Sequence, residues 1–507
     1  MNMYLLFMIA LIPIVWLMVS LVGLKIAGHK TTPLSLGITL MLAITVWGMP
    51  AIDAVSAGIE GAAMAIWPIM IVIIAAVFIY NLSLYTKGMD VIKSMMTSIT
   101  TDRRILVLIL AWGFGGFLEA IAGFGTAVAI PASIMAALGF EPVFAAIICL
   151  IANTTPTAFG AIGLPVSTLA QVAGLEVNEL SYAVALQLVL LIVIVPMVLV
   201  MITEKSVKAI KGVFGISLVS GLAFAVPQLL ASKYMGAELP AILGSVVCLV
   251  TTIAWAKLYH KDKAQKNAKK ISTRQACMAW LPFVLVFLII IATSSLFPSI
   301  NKMLAAVQTA VTIYSGPDGH PYSFVWLANP GTLIIFAGII GGLLQGIKLT
   351  EVVGVLGKTI RQMTNSAITI VSIVALAKVM SYSGMIKSIA VVLVSVTGSA
   401  YPLIAPVIGA LGTFVTGSDT SANVLFGGLQ VEAARSLSLN PYWLAAANAA
   451  GATAGKMISP QSIAVATAAT GLAGAEGKIL SATLRFCMVY VIILGIVTFL
   501  MEPIFVD

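Results

Sequence analysis

Long apolar runs limit this chain more severely than any other feature. Twelve of them are long enough to cross a bilayer core of about 30 Å: 4–24, 33–49, 58–83, 142–173, 178–203, 212–231, 237–258, 277–297, 328–346, 363–383, 441–471 and 478–501. Two further apolar stretches, 105–139 and 401–438, are interrupted midway by Gly/Thr/Ser-rich kinks. In lipid every backbone N–H and C=O must pair internally, and a chain of such runs can satisfy them only as helices. The expected fold is an all-α polytopic membrane protein with about twelve transmembrane helices and two re-entrant hairpins. Only 9% of the 507 residues are charged and 60% are hydrophobic, which excludes a soluble multidomain, disordered or nucleic-acid-binding protein. No phosphate-binding loop or HExxH zinc motif occurs, so the chain is expected to be neither an enzyme nor an ATP-driven pump. Cys149, Cys248, Cys277 and Cys487 read as small core hydrophobes, with no metal site among them.

The net charge of +9 is topological in meaning. Lys25 and Lys30, Lys87 to Arg104, Lys205 to Lys211, Lys257 to Arg274, Lys348 to Arg361 and Lys478 hold 20 of the 27 basic residues and fall on one face of the bundle. Basic loops face the cytoplasm, so both termini are predicted outside a plasma (bacterial inner) membrane. Asp53, Glu60, Glu176, Glu179 and Asp318 fall in the opposite loops. The basic loop 259–276 suits anionic lipid. Residues 1–24 lack the basic start and cleavage site of a signal peptide and read as a retained helix.

The chain repeats itself. GMDVIKS at 88–94 is echoed by GMIKS at 384–388, and Thr126 and Thr420 each stand 33 residues after the corresponding Lys93 and Lys387. Asn153-x6-Gly160-x4-Pro165-x-Ser167 matches Asn448-x6-Gly455-x4-Pro460-x-Ser462. Four blocks follow. N-terminal scaffold helices occupy 1–64. A first repeat, 65–203, contains hairpin 105–139 and broken helix 142–173. Further scaffold helices fill 204–365, and a second repeat, 366–507, contains hairpin 401–438 and broken helix 441–471. An odd number of crossings separates the starts of the two repeats, so they are predicted to be inverted in the membrane, a device of secondary transporters.

Polar, helix-breaking clusters at membrane depth are tolerated only inside protein or beside a cavity. Each repeat has two: AGFGTA (122–127) and NTTPTAFGAIGLP (153–165), then TGSDTSAN (416–423) and NAAGATAGKMISP (448–460). Half-helix N-termini offer N–H groups and a positive dipole end to a carboxylate. The backbone at Gly123, Gly125 and Gly417, with the side chains of Thr126, Asn153, Thr154, Thr155, Ser418, Thr420, Ser421, Asn423 and Asn448, forms the expected binding set. Charge within the membrane is costly and usually functional. Lys456 in the second broken helix is placed to meet an anion, or to fill the position of a metal cation. Asp419 at the second hairpin tip and Glu119 in the first hairpin are the proton-carrier candidates, and an Asp419–Lys456 ion pair is an alternative for that pair. Lys378 and Arg485 read as snorkelling or paired structural charges, and Glu432 with Arg435 as a helical pair. His29, His260 and His320 are placed in loops, which leaves proton transfer to Asp419, Glu119 and Lys456.

The runs FLEAIAGFGTAVAIPASIMAALGFEP (117–142), NTTPTAFGAIGLPVS (153–167), TGSDTSANVLFGGLQ (416–430) and GKMISPQSIAVA (455–466) resemble the bacterial L-lactate permease family, over about residues 30–500. The resemblance implies a proton-coupled symporter of lactate, with glycolate as a related substrate, on the ion transporter superfamily fold and with no cofactor. It places the central substrate site at Gly123–Ala127, Gly417–Asn423, Asn153–Thr155 and Asn448–Lys456. The first tip reads Gly-Thr-Ala at 125–127, where Gly-Ala-Pro is the family's more usual pattern; this puts an extra hydroxyl, that of Thr126, beside the site. Ala127, Ala161 and Ala452 are expected to form the wall for the substrate methyl group. A sodium-coupled carboxylate carrier on the same scaffold is the alternative, and a membrane enzyme or sensor is a more distant one. Pairing of the scaffold into a homodimer is compatible with either transporter.

Overall fold

The computed structural model describes residues 2–24, 26–97, 99–123, 125–259, 271–293, 297–317, 319, 321–472 and 475–505. Lys25, Phe124, Asp318, His260, His320 and most of the basic loop 259–276 lie outside the described residues.

The first four helices are α1 (Met3–Met18), α2 (Gly28–Thr45), α3 (Ala51–Met64) and α4 (Ile71–Tyr85). The first repeat continues through α5 (Gly88–Thr97), α6 (Arg103–Val107), α7 (Gly115–Ile121), α8 (Thr126–Ala137), α9 (Pro142–Ala152), α10 (Gly160–Ala173) and α11 (Val177–Thr203). Then come α12 (Phe214–Tyr234), α13 (Pro240–Tyr259), α14 (Thr273–Thr293), α15 (Pro298–Ala305), strands β1 (Gln308–Val311) and β2 (Tyr322–Val325), α16 (Pro330–Leu344) and α17 (Leu349–Gln362). The second repeat holds α18 (Thr364–Ser383), α19 (Met385–Thr397), α20 (Tyr401–Thr416), α21 (Asp419–Leu437), α22 (Pro441–Lys456), α23 (Pro460–Thr470) and α24 (Glu476–Phe505). Side-chain caps mark many starts. Asp102 accepts from Arg104 N, Glu176 from Asn178 N and Glu179 N, Asn440 from Tyr442 N, and Ser459 from Ser462 N, each meeting orphan amides of a first turn.

Among the described residues ten helical runs are long and apolar enough to cross a membrane, or eleven with the bent pair Pro142–Ala152 and Thr155–Ala173. Nine of these coincide with expected spans. The other two, Arg103–Ile121 and Met385–Thr416, contain the first arms of the hairpins. Three expected spans do not qualify. α2 carries His29 and Lys30 in its first turn, α16 has only 15 residues, and 441–471 is an Ala/Gly/Thr-rich broken helix. Neither return arm makes a span. α8, at 12 residues, covers about 18 Å of a roughly 30 Å core, and α21 carries Asp419, Asn423, Gln430, Glu432 and Arg435.

The element order helix, amphipathic helix, hairpin, broken helix, long helix runs through α4–α11 and occurs again through α18–α24. The repeats also interlock reciprocally, because α10 packs on α21 while α23 packs on α8. Each broken helix thus leans on the other repeat's hairpin. α20 and α22 cross backbone to backbone, and a Cβ on Gly451 or Gly455 would overlap the carbonyls of Pro406 or Ala410.

Three expectations are corrected outside the hairpins. Glu60 is not in a loop. It lies buried in α3, 3.1 Å from Lys378 Nζ, and accepts from Tyr382 Oη at 2.8 Å. That pairing makes Lys378 a paired charge, and Glu432 with Arg435 forms the expected helical pair at 2.8 Å. The run 58–83 is two helices broken at Trp67, whose extended backbone is held by the β1–β2 hairpin through Trp67 Nε1 to Val325 O and Tyr322 Oη to Trp67 O. Cys277 is exposed, while the other three cysteines are buried as expected.

Candidate functional site

A cavity of about 400 Å³ lies where the two hairpin tips and the two helix breaks meet. At the first tip Gly125 has φ +84, and a Cβ there would sit 3.0 Å from Val465 of α23. At the second, Gly417 has φ +72 and a Cβ would overlap the Gln461 amide, also on α23. Glycine alone allows this left-handed turn and close approach together. Both tips therefore rest on α23. Gln461, Ser462 and Val465 line the cavity, although the sequence reading did not select them.

Of the expected set, Gly123, Gly125, Gly417, Ser418, Asp419, Thr420, Ser421 and Lys456 line the cavity, and so does Glu119. Glu119 and Asp419 are each 2% exposed. Glu119 lies within electrostatic reach of Lys456 and Asp419 and beside Asn153, and Asp419 lies near Lys456 and Thr413. Asp419 and Lys456 do not form a contact ion pair. The three ion pairs within 4.0 Å among the described residues are elsewhere. Both oxygens of Asp419 and Oε2 of Glu119 are buried and lack a hydrogen-bond partner there. Such groups are expensive to bury unpaired.

The same residue spacing extends into the site. Glu119 packs on Gly160, 2.6 Å from the place of a Cβ, as Thr413 packs on Gly455 at 3.0 Å. Lys456 follows Gly455 as Ala161 follows Gly160, so one broken helix presents a cation where the other presents a methyl group. Ala161, Ile162 and Gly163 have φ values of +44, +59 and +74. Left-handed backbone costs an L-residue roughly 1–2 kcal/mol, and this strained turn breaks the helix beside Glu119.

Other expected residues do different work. Thr126 donates to Gly123 O at 2.8 Å, fastening the tip, and is not part of the cavity wall. Thr154 bonds to Leu150 O, and Asn153 and Thr155 are buried behind the wall. Asn423 and Asn448 form a chain away from it. Asn448 donates to Asn423 Oδ1 at 3.0 Å, Asn423 donates to Pro165 O at 3.0 Å, and Tyr401 Oη donates to Gln430 Oε1 at 3.0 Å, with Gln430 Nε2 3.4 Å from Asn448 Oδ1. This buried ladder ties α21 and α22 to α10 and α20. Ala161 lines the cavity, whereas Ala127 and Ala452 do not.

The remaining polar lining comes from helices outside the hairpins and broken helices. Gly28 and His29 at the start of α2, and Asn365, Ser366 and Thr369 at the start of α18, complete the lining. His29 is thus in the first turn of a helix and part of the cavity, not in a loop. The other two histidines lie outside the described residues.

The sequence model of the L-lactate permease family matches residues 6–505. The chain belongs to that family. Its relatives include the L-lactate permease of Streptococcus iniae, 58% identical over 86% of this chain and 93% of the relative. The L-lactate permease of Bacillus subtilis is 36% identical over 99% of this chain and 97% of its own length. The glycolate permease GlcA of Escherichia coli is 35% identical over 98% of this chain and 96% of its own. Among solved structures, this L-lactate permease family chain shares its fold with the YdaH transporter of Alcanivorax borkumensis (TM-score 0.55, 13% identity, 93% of this chain and 98% of that one). MtrF of Neisseria gonorrhoeae, described with a class of antimetabolite efflux pumps, has a TM-score of 0.51 at 12% identity, over 94% and 96% of the two chains.

Proposed function

We propose that this chain is a secondary transporter that carries lactate, and related short 2-hydroxy monocarboxylates such as glycolate, together with a proton across the bacterial inner membrane. The observation that carries this reading is Lys456 facing Glu119 and Asp419 in one cavity between two half-helix tips. Fully ionised, these three groups sum to one negative charge. An anion is repelled until a carboxyl takes up a proton, after which Lys456 and the N–H groups of the tips can hold its carboxylate. Substrate and proton then bind together, and the loaded site differs from the empty one by no net charge. The names of the L-lactate and glycolate permease relatives support the substrate class. Transport alters no covalent bond, so no catalytic residue or cofactor is assigned. The hairpins and broken helices move as a core against the scaffold helices, with basic loops in the cytoplasm, both termini outside, and lipid, or a second copy in part, against the outer apolar faces.

The test is labelled L-lactate uptake into liposomes holding this protein alone. An inward proton gradient in sodium-free buffer is expected to drive accumulation, and an inward sodium gradient at equal pH is not. Accumulation only with sodium would overturn the coupling. No movement of lactate or glycolate under either gradient would overturn the substrate.

A further inference from the structure

A second cavity, of about 310 Å³, lies on the other side of the strained turn in α10. Leu164 lines both cavities. The backbone between them is the left-handed run Ala161–Gly163, and it is pressed against the scaffold: a Cβ on Gly163 would overlap the carbonyl of Ala237, next to Glu238. Ile162, Ser167 and Gln171 of the core form one wall of the second cavity, and Val72 and Glu238 of the scaffold form the opposite one. Glu238 is its sole charged lining residue.

The linings of the two cavities extend to opposite ends of the bundle. α4 and α16 run parallel, with Gly331 against Ile71 and Val72, Gly338 against Phe78, and Gly342 against Leu82 and Val352 of α17. α17 therefore lies at their C-terminal ends, and the start of α18, which lines the mouth of the first cavity, follows it directly. Val72 and Pro330, which line the second cavity, stand at the N-terminal ends of the same two helices.

We infer that the second cavity is the opposite-side access route to the substrate site, closed in this conformation by the Leu164 side chain and the Ala161–Gly163 turn. The inference rests on the transport reading above for what passes through. It assigns the partition between the two sides to the seam between core and scaffold, where a small sliding movement opens one cavity as it closes the other. With basic loops inward, the first cavity faces the cytoplasm and the second faces outside.

Sidedness of thiol labelling tests this without requiring transport. In a Cys277→Ser background, which removes the exposed native thiol, a Ser167→Cys variant probes the second cavity and a Ser366→Cys variant the mouth of the first. A charged, membrane-impermeant thiol reagent is applied to intact cells and to inside-out vesicles. Ser167→Cys is expected to react from outside and not from inside, and Ser366→Cys the reverse. Adding Leu164→Ala is expected to abolish the sidedness at Ser366→Cys. Reaction of Ser167→Cys from the inside, or unchanged sidedness after Leu164→Ala, would overturn the inference. If Ser167→Cys does not reach the membrane, Gln171→Cys at the exposed rim of the same cavity replaces it. Failure of lactate uptake with sidedness intact would refute the substrate reading and leave the access route standing. Lactate uptake with reversed or absent sidedness would do the opposite.

Discussion

Replacing Lys456 by methionine separates two roles that the geometry allows for its charge. Lys456 lines the main cavity and makes no ion pair within 4.0 Å among the described residues. Its ammonium is therefore available to a bound carboxylate. Loss of one charge-assisted hydrogen bond costs about 1.5–3 kcal/mol, or about 10- to 150-fold in Kd. The assay is thermal unfolding of purified protein at constant pH, with and without L-lactate. Lactate at a hundred times the parent Kd stabilises the parent by about 2.7 kcal/mol, and a variant that binds about a hundredfold more weakly by about 0.4 kcal/mol. Lys456→Met is expected to fold with near-parental stability and to lose most of the lactate-induced rise in Tm, whereas Lys456→Arg keeps the charge and part of the effect. If Lys456 instead serves as a structural counter-ion, Lys456→Met should lose about 3–5 kcal/mol without ligand and keep the lactate effect. That outcome would refute the reasoning.

Four further outcomes follow from the contacts. Asn448→Leu strands Asn423 Oδ1 in a buried ladder, while Gln430 Nε2 keeps its bond to Ala405 O, and should destabilise the protein by about 1–3 kcal/mol, with lactate Kd unchanged by titration. Thr126→Ala removes the bond to Gly123 O and should cost about 1 kcal/mol; the lactate-to-glycolate uptake ratio should stay constant, because the hydroxyl is fastened within the tip. Glu60→Gln leaves the partly buried Lys378 without its counter-ion and should cost up to about 3 kcal/mol, and the double variant Glu60→Gln, Lys378→Met should recover most of the lost Tm. Asp102 is subject to a burial effect that raises its pKa, but the bonds and charge of Arg104 outweigh it and hold the carboxyl below its ordinary value. The contribution of Asp102 is therefore complete above pH about 4 and fades as pH falls through the depressed value. Asparagine caps the helix as well as aspartate, so Asp102→Asn removes only the charge facing Arg104 and should lower stability by up to about 1 kcal/mol equally at pH 6 and pH 8, and the gap should close in acid.

Much of the architecture was legible along the chain. An apolar run reports the cost of exposing backbone and side chains to lipid, which accumulates residue by residue and needs no knowledge of the neighbours. Glycine and polar clusters inside such runs mark breaks for the same reason. This is why both tips, both helix breaks, Lys456, Asp419 and Glu119 could be selected before any packing was known. The Glu432–Arg435 contact was readable because three residues along a helix return to one face.

What the sequence alone determined, then, is an almost wholly helical membrane protein with a charged centre. The tertiary structure decided which way each polar side chain turns. Asn423 and Thr420 are neighbours on one helix, yet one locks helices together and the other lines the cavity. His29 and Ser366 join the site from α2 and α18, outside the hairpins and broken helices, and Glu60 finds Lys378 across the bundle. These outcomes depend on the crossing and rotation of helices packed side by side, set by contacts between distant segments such as Gly451 on Pro406. No local period carries that information, because a helix has the same pattern of faces whichever neighbour it meets.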